Sequence, residues 1–344
     1  MREFTPDYTN VVKAAKNITP PRIPLYEHHI SEAVMEEILG VPFAHLLNEG
    51  ENGKREYFRN FSRFFKEMGY DTVSMERGIA GIMPGSGALT AHKPGVIKTR
   101  ADFEQYPWDE VPDLFFTSYA DDFRILGEEM PAGMKAIGGP GYGIFESVQD
   151  IVSYTELCYI SADDPELYAD LFKTVGDVFV KIWSEFLRRY ADTYCVCRFG
   201  DDLGFKSATL IPPAAIRKHI IPQHKRVIDL VHSYGKPFLL HSCGKIFDIM
   251  DDMINVAGID AKHSNEDQIA PFSEWVDRYG DRIGNFGGID TDHLCSKSPQ
   301  EIKKIVKDVY EYSKTKGGFA IGSGNSIPNY VPAEGYLAMV EAVR

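Results

Sequence analysis

The chain has 344 residues, 44% of them hydrophobic and 12% aromatic, ample material for a large core. Its 37 Lys and Arg against 50 Asp and Glu leave a formal charge of −13, which argues against sequence-independent nucleic-acid binding, where clustered cations displace counterions. No run approaches the roughly twenty apolar residues that span a bilayer, the opening MREFTPDYTN lacks a signal-peptide core, and five cysteines suit a reducing cytoplasm rather than a disulfide scaffold.

Residues 1–20 read as an N-terminal extension on a single domain that covers 1–344. Three strands are predicted in the first half, at 23–26 (IPLY), 72–75 (TVSM) and 134–137 (MKAI), with a helix around 57–68. From residue 190 the rhythm is regular. A strand at 192–199 (DTYCVCRF) precedes a helix that starts at Pro212-Pro213, and Pro222 should bend that helix. Its basic cluster, Arg217, Lys218, His224, Lys225 and Arg226, reads as a solvated face. Strands follow at 236–240, 259–262, 282–286 and 318–321, with helices at 246–256, 271–279 and 299–316, and a last helix near Pro332. Eight strands separated by helices imply parallel pairing through right-handed crossovers. The predicted fold class is α/β, a (β/α)8 TIM barrel.

In such a barrel chemistry gathers at the carboxyl ends of the strands. Those ends carry Glu27, His28 and His29; Glu76 and Arg77; Tyr142 and Glu146; Asp201 and Asp202; His241 and Cys243; His263, Asn265, Glu266 and Asp267; Asp290; and Ser323, Asn325 and Ser326. His241 and Cys243, in FLLHSCG, lie two apart and so on one side of a strand. Imidazole and thiolate both suit zinc, whose catalytic sites use three protein ligands and one open position. The plainer alternative is a buried strand-end cysteine beside a histidine satisfied by a backbone carbonyl. Cys195, Cys197, Cys158 and Cys295 read as structural. His219, His224 and His232 share a helix outside the mouth and are set aside.

The runs FGDDLG (199–204), HSCG (241–244), FGGIDT (286–291) and GGFAIGSGNSIP (317–328) resemble the uroporphyrinogen decarboxylase superfamily over most of the chain. The resemblance implies a TIM barrel and two functional branches, the decarboxylase itself and corrinoid-linked methyltransferases. The second branch holds zinc through H-x-C and a later cysteine near the last strand. The decarboxylase branch carries an Arg-rich segment after its first strand, as a polycarboxylated substrate demands. Here that place reads Tyr26-Glu27-His28-His29-Ile30, with no arginine, so the methyltransferase branch is the closer match.

Ser323 stands where that branch has its later cysteine. His263, Glu266, Asp202 and Glu27 are candidates to complete the site. A weaker site completed by substrate, or no metal at all, is also open. The working assignment takes His241, Cys243 and Glu266 as metal ligands, and Asp202, His263 and Glu27 as catalytic groups. Tyr26, His28, Tyr142, Asp201 and Asn325 are the substrate contacts. The resemblance implies methyl transfer between a small O- or N-methylated donor and a corrinoid protein or thiol, with zinc as Lewis acid. The sequence has no D-x-H-x-x-G motif, so the corrinoid would arrive on a partner protein. No nucleic-acid or membrane partner is expected, and a homodimer is admissible. The alternatives are uroporphyrinogen decarboxylation and a non-catalytic corrinoid- or tetrapyrrole-binding barrel.

Overall fold

Apolar runs bounded by glycine and separated by amphipathic helices become strands of a single parallel sheet in the computed structural model, which describes residues 4–344. The strands are β1 (Thr72–Gly78), β2 (Lys135–Gly141), β3 (Tyr194–Gly200), β4 (Phe238–His241), β5 (Ala261–His263), β6 (Gly284–Ile289) and β7 (Phe319–Ser323). They pair in chain order, so the sheet curls progressively into a TIM-barrel-like single domain. The first three residues of the expected N-terminal extension lie outside the described range.

Seven strands are present in the sheet where eight were predicted. Residues 23–26 run beside β7 but make one bridge there, with Tyr26 N donating to Ile321 O at 2.9 Å and Ile321 N to Pro24 O at 3.0 Å. Pro24 has no N–H to extend a ladder. Among the described residues no ladder joins this segment to β1. Instead the Ser74 hydroxyl donates to His28 O at 2.9 Å across the gap.

Helices fill the outside of the sheet, the longest being Pro165–Tyr190, which buries Trp183, Phe179 and Phe186. The extension holds a helix, Thr9–Ala15, whose Val11, Ala14 and Ala15 join Tyr26, Ile137, Leu239, Ala261, Phe286 and Ala320 in the cluster that fills the barrel interior. Period two then carries the interior from Leu239 to His241 along β4 and from Ala261 to His263 along β5.

The bend predicted at Pro222 takes the form of a widened turn over Ile216–Ile220, just before helix Ile221–Ser233 begins. Arg217, Lys218, Lys225 and Arg226 are exposed on this helix as expected. His224, set aside as lying outside the mouth, faces inward with no exposure. No helix among the described residues is long and apolar enough to cross a membrane.

Candidate active site

The carboxyl ends of β1 to β4 and the loops after residues 26 and 323 enclose a cavity of about 510 Å³. Glu76, Glu146 and Asp202 bring carboxylates to it, and His28, His29, Tyr142, His241, Cys243 and Asn325 complete much of its wall. Arg198 is its one Arg or Lys among the described residues, and that charge is already engaged. Its guanidinium donates to Glu76 Oε2 at 3.0 Å, to the Tyr26 hydroxyl at 2.9 Å and to Ser74 Oγ at 2.7 Å.

The loops after β3 and β4 touch through two glycines. A Cβ on Gly244, which has φ 85°, would meet the Gly204 carbonyl carbon at 2.1 Å, so only glycine permits this approach. The approach carries Asp202 to Cys243, whose backbone N–H donates to Asp202 Oδ1 at 2.8 Å. His241 Nε2 lies 3.4 Å from Cys243 Sγ and 3.8 Å from Asp202 Oδ1. One ion bound to N, S and O at ~2.0–2.3 Å sets its tetrahedral ligands about 3.3–3.8 Å apart. The nitrogen–sulfur separation matches that spacing, the nitrogen–oxygen one exceeds the ~3.4 Å of an N/O pair by about 0.4 Å, and all three donor atoms lie within 4.8 Å of one another. Burial, and then the Asp202 charge, push the Cys243 thiol up, so without a cation beside it the sulfur keeps its proton at neutral pH.

His28, His241 and His263 form a second cluster within the same span. Its His241 Nδ1 to His263 Nδ1 separation is 2.7 Å, a hydrogen bond and shorter than the ~3.3 Å between two nitrogens on one ion. The nitrogen–sulfur–oxygen set is therefore the better cation site.

Several expected site residues lie elsewhere. Glu266 lines a neighbouring cavity with Lys206, Asp290 and Tyr330, away from the His241–Cys243 pair, and Asp202 lies beside that pair. Tyr26 sits below the cavity floor, held by Arg198 and edge-on to His263 with ring centroids 5.1 Å apart. Glu27 points into the protein, accepting the Ser323 N–H at 2.9 Å and the Ser323 hydroxyl. Ser323 is thus turned away from any ion. Asp201 is fully buried behind the cavity, where it accepts from Phe145 N, Glu146 N and His224 Nε2 at 3.2, 3.0 and 2.6 Å.

His28, Tyr142 and Asn325 do face the cavity. Asn325 Nδ2 lies 3.4 Å from Cys243 Sγ. His28 stacks on His241 with centroids 3.8 Å apart, and its Nδ1 is buried without a partner among the described residues. Sequence reasoning placed Glu76 and Glu146 at strand ends but gave them no role. Burial, Asp202 and Asp201 push the Glu146 carboxyl well up.

Burial also raises Glu27 to about 8 against the opposing hydrogen bonds from Ser323. The folded state then binds more protons than the unfolded chain between about pH 4.5 and 8, so this group's contribution to stability falls as pH rises through that window. Lys262, lowered to about 7 by burial, acts oppositely above its own value, where stability rises towards pH 10.5. Urea unfolding of Glu27→Gln against the wild type should isolate the first effect. The variant's relative stability should climb from pH 5 to 8, and a constant difference across that range would contradict the assignment.

A parallel barrel with a mixed-donor cluster and an occluded arginine at its mouth defines a barrel whose chemistry lies at the strand ends. The chain belongs to the uroporphyrinogen decarboxylase (URO-D) family, whose model matches residues 65–344. Among solved structures it is similar to a methyltransferase from Methanosarcina mazei, with TM-score 0.71 and 16% identity over 98% of this chain and 97% of that one. It is also similar to a putative vitamin-B12-independent methionine synthase from Listeria monocytogenes, with TM-score 0.54 and 11% identity over 94% and 97%. No curated protein matches the chain.

Proposed function

We propose that this chain is a methyltransferase that moves a methyl group between a small O- or N-methylated donor and a corrinoid protein or thiol, with zinc held by Asp202, His241 and Cys243. The observation that carries this reading is the charge of the cavity. Glu76, Glu146 and Asp202 face it, while Arg198 is consumed by Glu76, Tyr26 and Ser74. A polycarboxylated tetrapyrrole would meet the Glu76 and Asp202 carboxylates, a protonated Glu146 and no free Arg or Lys, which disfavours decarboxylation.

The donor set is neutral imidazole, thiolate and carboxylate, a set that catalytic zinc accepts. When bound, zinc supplies Lewis acidity at the donor's heteroatom, and the partner's corrinoid supplies the methyl acceptor. The chain's own residues do the rest. Tyr142, His28 and His29 wall the donor. Glu146, kept protonated by burial and neighbouring carboxylates, holds the proton that a departing alkoxide or amine needs.

The decisive measurement is metal content after equilibration with zinc and dialysis, read beside turnover of methylated donors with a corrinoid protein. About one zinc per chain is expected. Less than about a tenth, or conversion of uroporphyrinogen to coproporphyrinogen, would sink the reading.

A further inference from the structure

His241 can hold an ion at Nε2 only if its ring proton sits on Nδ1. That Nδ1 lies 2.7 Å from Nδ1 of His263, and His263 Nε2 lies 3.0 Å from the Ser323 carbonyl oxygen. A carbonyl oxygen only accepts, so His263 carries its proton on Nε2 and offers a lone pair at Nδ1. His241 must then donate from Nδ1. Its remaining lone pair falls at Nε2, on the side of Cys243 and Asp202.

The carbonyl that sets this order is itself fixed. Ser323 is fully buried, and both its N–H and its hydroxyl donate to Glu27. Stacking of His28 on His241, at an interplanar angle of 17°, holds the plane of the ring.

We propose that His263 is a positioning residue that selects the tautomer of His241, and that Ser323 acts through its backbone carbonyl as the anchor of that chain. The proposal rests on the reading of Asp202, His241 and Cys243 as ligands. It also gives Ser323 a task that its hydroxyl, turned to Glu27, does not perform. Outer partners of this kind orient a ligating imidazole, and their loss typically weakens metal binding about 10–100-fold.

Two measurements test it. In the metal-free protein, nitrogen NMR of 15N-labelled histidine should show His241 protonated at Nδ1 and His263 at Nε2, and the opposite order at either ring overturns the proposal. Cobalt(II) titration should then find His263→Leu weakened about 10–100-fold with altered visible bands. His263→Asn, whose Oδ1 accepts where the imidazole Nδ1 did, should recover most of that loss. Equal weakening in both variants, or none in either, overturns the proposal. If His263→Leu does not fold, the NMR assignment and the Asn variant decide. A wild type that takes up no cobalt would instead remove the ligand reading, while the tautomer order is still read directly.

Discussion

Cys243→Ala should stay folded and lose about 10²–10³-fold in affinity for zinc. Structural zinc sites gather roughly 10–16 kcal/mol from four ligands, or about 2.5–4 kcal/mol for each. Cys243 sits at the cavity wall, half-buried, and its sulfur has polar neighbours in His241 Nε2, Asn325 Nδ2 and Ser264 Oγ. Removing it opens space towards solvent rather than a void in the core, so the fold should tolerate the change. The pH dependence sharpens the test. Burial and Asp202 raise the thiol well above its ordinary range, so an entering ion must displace a proton at neutral pH. Apparent affinity of the wild type should therefore rise up to about tenfold for each pH unit, a slope that the alanine variant lacks. Competition against a chromophoric chelator at pH 6, 7 and 8 measures both quantities. Unchanged affinity in the variant would remove Cys243 from the ligand set.

The strands from β3 onward were legible because helical patterns separate them, and in β3 and β7 an apolar run reaches a glycine at its end. The first predicted strand failed through one residue, Pro24, which cannot donate to a ladder. Within the site, spacing placed His241 and Cys243 on one side of a strand end, and the family resemblance supplied their reading as zinc ligands. That Asp202 and not Glu266 lies beside them was not legible, because it depends on a glycine contact between positions 204 and 244, forty residues apart. Asp201 and Asp202 are adjacent just past β3, and one turns behind the sheet while the other enters the cavity, as alternation continued from Arg198 places them. His224 reads as solvated beside Lys225 and Arg226, but its spacing from Ile220, Val227, Ile228 and Val231 puts it on the face that the helix buries.

Asp201→Ala should destabilise the fold by about 3–5 kcal/mol, the range for removing one partner of a buried polar pair. The carboxylate has no exposure and accepts three hydrogen bonds, two of them from the first turn of helix Ile144–Val152. A Cβ on Gly143 would meet Asp201 Cβ at 2.0 Å, so the helix start packs directly on this side chain. Alanine would strand two backbone N–H groups and the His224 imidazole, each at a cost of about 1–3 kcal/mol where water does not replace the lost acceptor. Asp201→Asn keeps one acceptor oxygen for the helix and should lose roughly half as much. Because Glu146 lies in that first turn, both variants should also disturb the cavity, lowering kcat more than they raise KM. Urea unfolding orders the three proteins. If alanine and asparagine both fall within about 0.5 kcal/mol of the wild type, in the range of neutral surface changes, Asp201 does not anchor the helix that carries Glu146.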